Sequence, residues 1–185
     1  MGPIQIGVPV RWWPSPHYTP GRKCPVDLII IHAISLPPGV YGSGHVIDFF
    51  MGKLNAGLHP YYAQIMDMRV SSHFFIERSG GPHQFVDTED TAWHAGESEF
   101  DGRPHCNDFS VGIELEGHPD HAFTPQQYET LKLLTHNLLG RYPLISPERI
   151  VGHSQVSPGR KIDPGPLFDW DHFLKEVKHA RRGAI

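Results

Sequence analysis

The residues best suited to chemistry in this chain lie in GHSQVSPGRKIDPG, residues 152–165. His153, Lys161 and Asp163 stand there, separated by Ser, Pro and Gly. Imidazole nitrogen and carboxylate oxygen suit Zn²⁺, and a catalytic zinc takes three protein ligands while keeping one position for water. The stretch offers two ligands, so the third must come from elsewhere. Pro and Gly fix the chain reversals that bring distant side chains to one point, and Lys161 adds a cation near where an oxyanion would form. Spacing alone leaves open a solvated loop with an incidental His and Asp.

The third ligand is sought at the ends of buried strands, which hold a side chain rigidly. VDLIII, residues 26–31, is an almost continuous apolar, β-branched run, the pattern of a strand buried on both faces. His32 ends it. IV, residues 150–151, is a second short strand leading into His153. Both histidines can project from one edge of one sheet, although a core histidine bonded to backbone is the plain alternative for His32. FSVGIELEG, residues 109–117, alternates: Val111, Ile113 and Leu115 face one way, Gly112, Glu114 and Glu116 the other. Two carboxylates on a mostly apolar strand need a reason: a general base beside a metal, or an edge strand with a wet face. Other chemistries fit less well. There is no HExxH, GHSQV lacks the last glycine of a nucleophile elbow around Ser154, and no cysteine-hydrolase signature surrounds Cys106.

The elements that would position these residues read as an α/β domain. Residues 1–25 form an irregular arm, with Pro14, Pro16, Pro20 and Pro25 opposing regular pairing and Trp12, Trp13 and Tyr18 pinning it to the body. Residues 26–180 are the domain and 181–185 a tail. HVIDFFMGKL, 45–54, predicts a short helix, and 56–68 is mostly loop. RVSSHFFIE, 69–77, and PHQFVD, 82–87, predict a hairpin around SGG. TPQQYETLKLLTHNLLGRY, 124–142, is a helix capped by Thr124 and Gln127, with Pro125 in its first turn and Tyr128, Leu131, Leu134, Leu138 and Tyr142 as its apolar stripe. Residues 168–180 form a terminal helix. Strands interleaved with helices predict a central mixed sheet flanked by helices in one domain.

The totals narrow the class. The chain has 185 residues, enough for one core. Gly and Pro make up a fifth of it, below the ~25–30% of disordered chains. A net charge of −4 without blocks of like charge argues against nucleic acid. No apolar run reaches the ~18 residues of a membrane span. Two cysteines are too few for a disulfide framework, and the N-terminal stretch lacks a secretory pattern. A cytoplasmic protein, monomeric, without membrane or nucleic-acid partners, is expected.

IIIHAISLPPG, LHPYYAQI, RVSSHFFIER, AWHAGES, CNDFSVGIELEG and GHSQVSPGRKIDPGPLFDW, in this order, resemble the zinc N-acetylmuramoyl-L-alanine amidases, in particular the branch acting on 1,6-anhydro-muropeptides. The resemblance spans roughly residues 12–175. It implies the fold shared by phage lysozyme-type amidases and peptidoglycan recognition proteins. It implies His32, His153 and Asp163 on Zn²⁺, Glu114 as acid/base and Lys161 near the oxyanion. Ser72 and Asp163 match the anhydro-muropeptide branch, where more distant relatives use Tyr and Cys. Ala33 replaces a frequent Asn after the first ligand, and His105 a frequent Arg before Cys-Asn-Asp. The implied activity is hydrolysis of the amide joining the lactyl group of (1,6-anhydro) N-acetylmuramic acid to L-Ala of a stem peptide, in cell-wall recycling. A non-catalytic muropeptide-binding module on the same fold is the alternative. Arg69 is a candidate for the substrate carboxylates, with the surface charge of a strand start as its plain reading. Tyr61, Trp93, His94 and His105 are further candidates for substrate contact.

Overall fold

The computed structural model describes residues 2–182. In chain order its strands and helices are β1 (Arg11–Trp12), β2 (Tyr18–Thr19), β3 (Leu28–Ile34), α1 (His45–Phe50), α2 (Tyr62–Ile65), β4 (Phe74–Ile76), β5 (Pro82–Gln84), β6 (Thr91–Ala92), β7 (Glu99–Phe100), β8 (Arg103–Pro104), β9 (Ser110–Glu116), α3 (Pro125–Arg141), β10 (Ile150–Gly152), α4 (His153–Val156) and α5 (Trp170–Arg182). Six strands make one mixed sheet in the order β1-β5-β4-β9-β3-β10. Only β4 and β5 are antiparallel neighbours in it; the other pairs are parallel. Among the described residues no helix is long and apolar enough to cross a membrane.

One face of the sheet is apolar and closed. Ile29 and Ile31 of β3, Val111, Ile113 and Leu115 of β9, and Phe74 and Ile76 of β4 form a core with Leu131, Leu134 and Leu138 of α3 and Phe173 and Val177 of α5. α3 begins where its cap dictates. The Thr124 hydroxyl accepts from Gln127 N at 3.1 Å, and Gln127 Oε1 accepts from Thr124 N at 3.0 Å, so two otherwise orphaned donors are satisfied. The opposite face carries a row of three register partners: His32, Glu114 and Phe75. Positions alternating along β9 therefore split the apolar set from the carboxylates.

Several elements differ from the sequence reading. β3 does not stop at His32, because its ladder with β9 continues from Leu28↔Ser110 to Ile34↔Glu116. His32 is thus held by paired backbone on both sides. β9 is a central strand, buried at all seven positions, and not a wet edge. The expected strand 69–77 contracts to β4, since Ser71 and Ser72 bond elsewhere: Ser71 N donates to Trp93 O at 3.0 Å, and Ser72 Oγ to Gly112 O at 2.9 Å. The arm is not wholly irregular. β1 and β2 fit in two-residue pieces between the prolines, β1 at the sheet edge against β5 and β2 against β6. Trp13 Nε1 donates to His83 Nδ1 at 2.9 Å, which ties the arm down. Of the expected tail, residues 181–182 continue α5 and 183–185 lie outside the described residues.

Candidate metal centre

The centre forms where β3 and β10 run side by side. Gly152 is the register partner of Ile31, so the next residue of each strand, His153 and His32, come together above the sheet edge. The loop after α4 returns to them: Ser154 N donates to Asp163 O at 3.0 Å. Gly152 is required for this return, because a Cβ there would lie 2.8 Å from Pro164 Cδ, the residue after Asp163. The result brings His32 Nδ1 within 3.0 Å of His153 Nδ1. Asp163 Oδ2 lies 3.3 Å from the first and 3.1 Å from the second. Both histidines are buried, and the Asp163 side chain, 14% exposed, opens the cluster to a cavity of about 350 Å³.

These atoms suit a metal ion. His32, His153 and Asp163 each offer one ligand atom, all within 4.8 Å of one another. Ligand atoms about 2.0–2.2 Å from a tetrahedral zinc lie roughly 3.3–3.6 Å apart, close to the separations here. His153 Nε2 faces the Ala95 carbonyl at 3.0 Å, which can only accept, so a hydrogen on Nε2 is satisfied there and Nδ1 is the nitrogen turned toward His32 and Asp163. Burial, opposed by the hydrogen bond to Asp163, lowers the His32 pKa to about 4, so the ring is neutral at physiological pH as a ligand must be. Burial also acts to raise Asp163, but the His153 and His32 imidazoles within 3.3 Å of its Oδ2 outweigh it and hold the carboxyl well below its usual range.

Glu114 stands on β9 directly across from His32, one strand spacing away, or about 4.8 Å. It is 8% exposed, and its Oε2 is buried with no hydrogen-bond partner among the described residues. Burial, and then the charge of Asp163, push its pKa well above the usual value, with Lys161 pulling the other way. Lys161 and Glu114 line the same cavity. Glu116, two residues on, does different work: its carboxylate accepts the backbone N–H groups of Gly42 and, at 3.0 Å, Arg78, tying two loops to the strand end.

The remaining candidates separate by position. Tyr61 and Trp93 line the cavity, Trp93 with its Nε1 donating to Thr19 Oγ1 at 3.0 Å. Arg69 is exposed, and its neighbours Met68 and Val70 line the cavity in its place. His105 is exposed away from the cavity lining, in left-handed conformation (φ 62°), at the start of the 3₁₀ turn Cys106–Phe109. His94, expected at the substrate, touches the cavity but turns both ring nitrogens inward. Nδ1 lies 2.9 Å from His32 Nε2 and Nε2 lies 3.3 Å from Ser110 Oγ. Sequence reasoning missed the groups that shape this wall. Asn107 Oδ1 accepts from His94 N and Ala95 N at 3.1 and 2.8 Å. Arg160 donates to the Ala95 and Glu97 carbonyls at 2.6 and 2.7 Å, clamping the same loop. Asn107 lies within the CNDF stretch and Arg160 beside Lys161, but no local pattern reveals bonds to backbone more than ten residues distant.

Comparison with known proteins agrees with this geometry. A family model described as N-acetylmuramoyl-L-alanine amidase matches residues 22–166. The 1,6-anhydro-N-acetylmuramyl-L-alanine amidase AmpD of Haemophilus influenzae is 53% identical over 166 residues, covering 89% of this chain and 90% of that one. The crystal structure of a selenomethionine AmpD derivative superposes with a TM-score of 0.88 at 45% identity, over 91% of this chain and 94% of that one. The amidase AmiD of Escherichia coli, in complex with anhydro-N-acetylmuramic acid-L-Ala-D-γ-Glu-L-Lys, superposes with a TM-score of 0.62 at 30% identity, over 82% of this chain and 57% of that one. With a mixed sheet of that fold and two histidines and an aspartate gathered at its edge, the chain belongs to the N-acetylmuramoyl-L-alanine amidase family, with the AmpD-type members.

Proposed function

We propose that the protein is a zinc hydrolase that cleaves the amide between the lactyl group of 1,6-anhydro-N-acetylmuramic acid and L-Ala of stem peptides, in cell-wall recycling. The observation that carries this is Glu114: a buried carboxyl with one oxygen unpartnered, registered across from a histidine of the three-donor cluster. A module that only bound muropeptides would have no use for a group so costly to bury. The AmpD-type relatives and the anhydromuramyl peptide held by AmiD support the substrate class.

In this reading His32, His153 and Asp163 hold the zinc. When bound, zinc supplies a Lewis acid that acidifies water and polarises the scissile carbonyl. Glu114, its pKa raised by burial, stands across from His32 in the same cavity, placed to take a proton from the attacking water. It then returns a proton to the leaving amine of L-Ala, so the C–N bond breaks with an uncharged amine departing. The Lys161 ammonium, lining the same cavity, faces the oxygen that gains charge when the carbonyl becomes tetrahedral. Tyr61 and Trp93 offer flat apolar walls to sugar and peptide, and Arg69 at the rim is the cation for the stem-peptide carboxylates. The two free cysteines are in keeping with work in the cytoplasm.

The test is incubation with anhydro-N-acetylmuramyl tripeptide and mass analysis of the products. Free anhydro sugar and free tripeptide, whose masses together equal that of the substrate plus one water, are expected. Intact substrate bound by zinc-loaded protein would overturn the catalytic reading in favour of the binding module.

A further inference from the structure

His94 lies beneath His32, its ring over Gly112, where an added Cβ would fall 2.5 Å from His94 Cγ. Glycine at that point of a central strand leaves room for an aromatic ring against the sheet. The hydrogen bonds around the ring have a direction. The Ser110 hydroxyl lies 2.6 Å from the Cys106 carbonyl, which can only accept, so its hydrogen goes there. Toward His94 Nε2, at 3.3 Å, Ser110 is left as an acceptor, and His94 carries hydrogen on Nε2. His94 is buried, and its two nitrogens face only a hydroxyl and an imidazole, so a single ring hydrogen, on Nε2, satisfies both contacts. Its Nδ1 is then an acceptor, and the group 2.9 Å from it is His32 Nε2. That nitrogen must carry the hydrogen of His32, which leaves His32 Nδ1 as a bare lone pair aimed at His153 and Asp163.

We infer that His94 is a positioning residue: the chain from the Cys106 carbonyl through Ser110 and His94 to His32 selects the His32 tautomer and ring orientation that a metal ion needs. The opposite tautomer, with hydrogen on His32 Nδ1 pointing to Asp163, would require Ser110 to turn its hydrogen away from the carbonyl that is nearer to it. Metal-bound histidines commonly anchor their second nitrogen on a carboxylate or backbone carbonyl. His153 does so through Ala95, whereas His32 depends on a second imidazole. The inference rests on the reading of the cluster as a metal site.

Zinc affinity, measured by competition with a chromophoric chelator, tests it without reference to activity. His94→Leu, which fills the space but cannot accept, should bind zinc about 10–100-fold more weakly. His94→Asn, whose Oδ1 takes the place of Nδ1, should recover most of that loss. A purely space-filling role predicts the reverse order. Leucine binding as tightly as the parent, or asparagine no better than leucine, would overturn the inference. Should either variant fail to fold, ring ¹⁵N–¹H correlations of the parent protein decide the matter: hydrogen on Nε2 of both His32 and His94 is expected, and hydrogen on His94 Nδ1 would overturn it. A parent protein that retains no zinc would instead overturn the metal reading itself.

Discussion

Replacing Glu114 by glutamine keeps the shape of the side chain and removes its charge and its capacity as a base. Two effects of opposite sign are expected. Activity should fall by about 10²–10⁴ in kcat, the usual contribution of a positioned acid/base, or roughly 3–5 kcal/mol of barrier. Zinc should stay, because Glu114 supplies none of the three gathered ligand atoms. Stability should move the other way. In the metal-free protein burial raises the Glu114 pKa above 4.5, so folding favours its protonated form. The contribution of that form is complete below about pH 4.5 and is lost as pH rises through the raised folded value. Above it, the protein holds a buried charge with one oxygen unpartnered. At pH 8 the metal-free glutamine variant should therefore be more stable than the parent by about 1–3 kcal/mol, the range for a buried polar group left unsatisfied. At roughly 2–4 °C per kcal/mol for a chain of this size, the difference is visible in thermal melts, and it should fade toward pH 4.5. Glu116→Gln is the control. Its carboxylate accepts two backbone N–H groups, so its loss should lower stability, with activity following the fold. A Glu114→Gln enzyme keeping more than about a tenth of kcat, where at least a hundredfold loss is expected, would refute the acid/base reading. Absence of a stability gain at pH 8 would refute the electrostatic one.

Asp163→Ala removes the oxygen that lies within 3.3 Å of both imidazole nitrogens, and metal analysis after dialysis should find little zinc; stoichiometric zinc would remove Asp163 from the site. Lys161→Met should lower kcat by about 10²–10³, as loss of one oxyanion donor does, with zinc content unchanged; an unaltered kcat would refute the role. His32, lowered from 6.5 to about 4, leaves stability intact above pH 6.5 and takes it away as pH falls toward 4. In the metal-free Glu114→Gln background, which lacks the opposing slope, urea titrations should show a loss of at least about 2 kcal/mol between pH 6.5 and 5, since burial depresses His73 and His94 in the same direction. Flat stability over that range would show that the rings are not desolvated.

What the sequence determined by itself was local. The cap of α3 is written in Thr124, Pro125 and Gln127, because the donors to be satisfied lie within one turn of the residues that satisfy them. The alternation of β9 separated Val111, Ile113 and Leu115 from Glu114 and Glu116, since successive side chains of any strand point to opposite faces. The ligand types His, His and Asp, and the ordered motifs around them, pointed to the amidase family that the comparisons then showed. Tertiary structure decided what local rules leave degenerate. Glu114 and Glu116 share a face, and only the pairing of β9 with β3 sets Glu114 beside His32, while loop backbone takes up Glu116. The sequence offers His94 as a candidate for substrate contact; the glycine at 112, eighteen residues along the chain, makes the space that draws it under His32. The prolines of the arm mark where pairing stops, but the partners of β1 and β2 lie about seventy residues away, beyond the reach of any window along the chain. Periodicity and capping are set by neighbours in sequence. Register, burial and tautomer are set by neighbours in space, and the chemistry of this centre depends on the second kind.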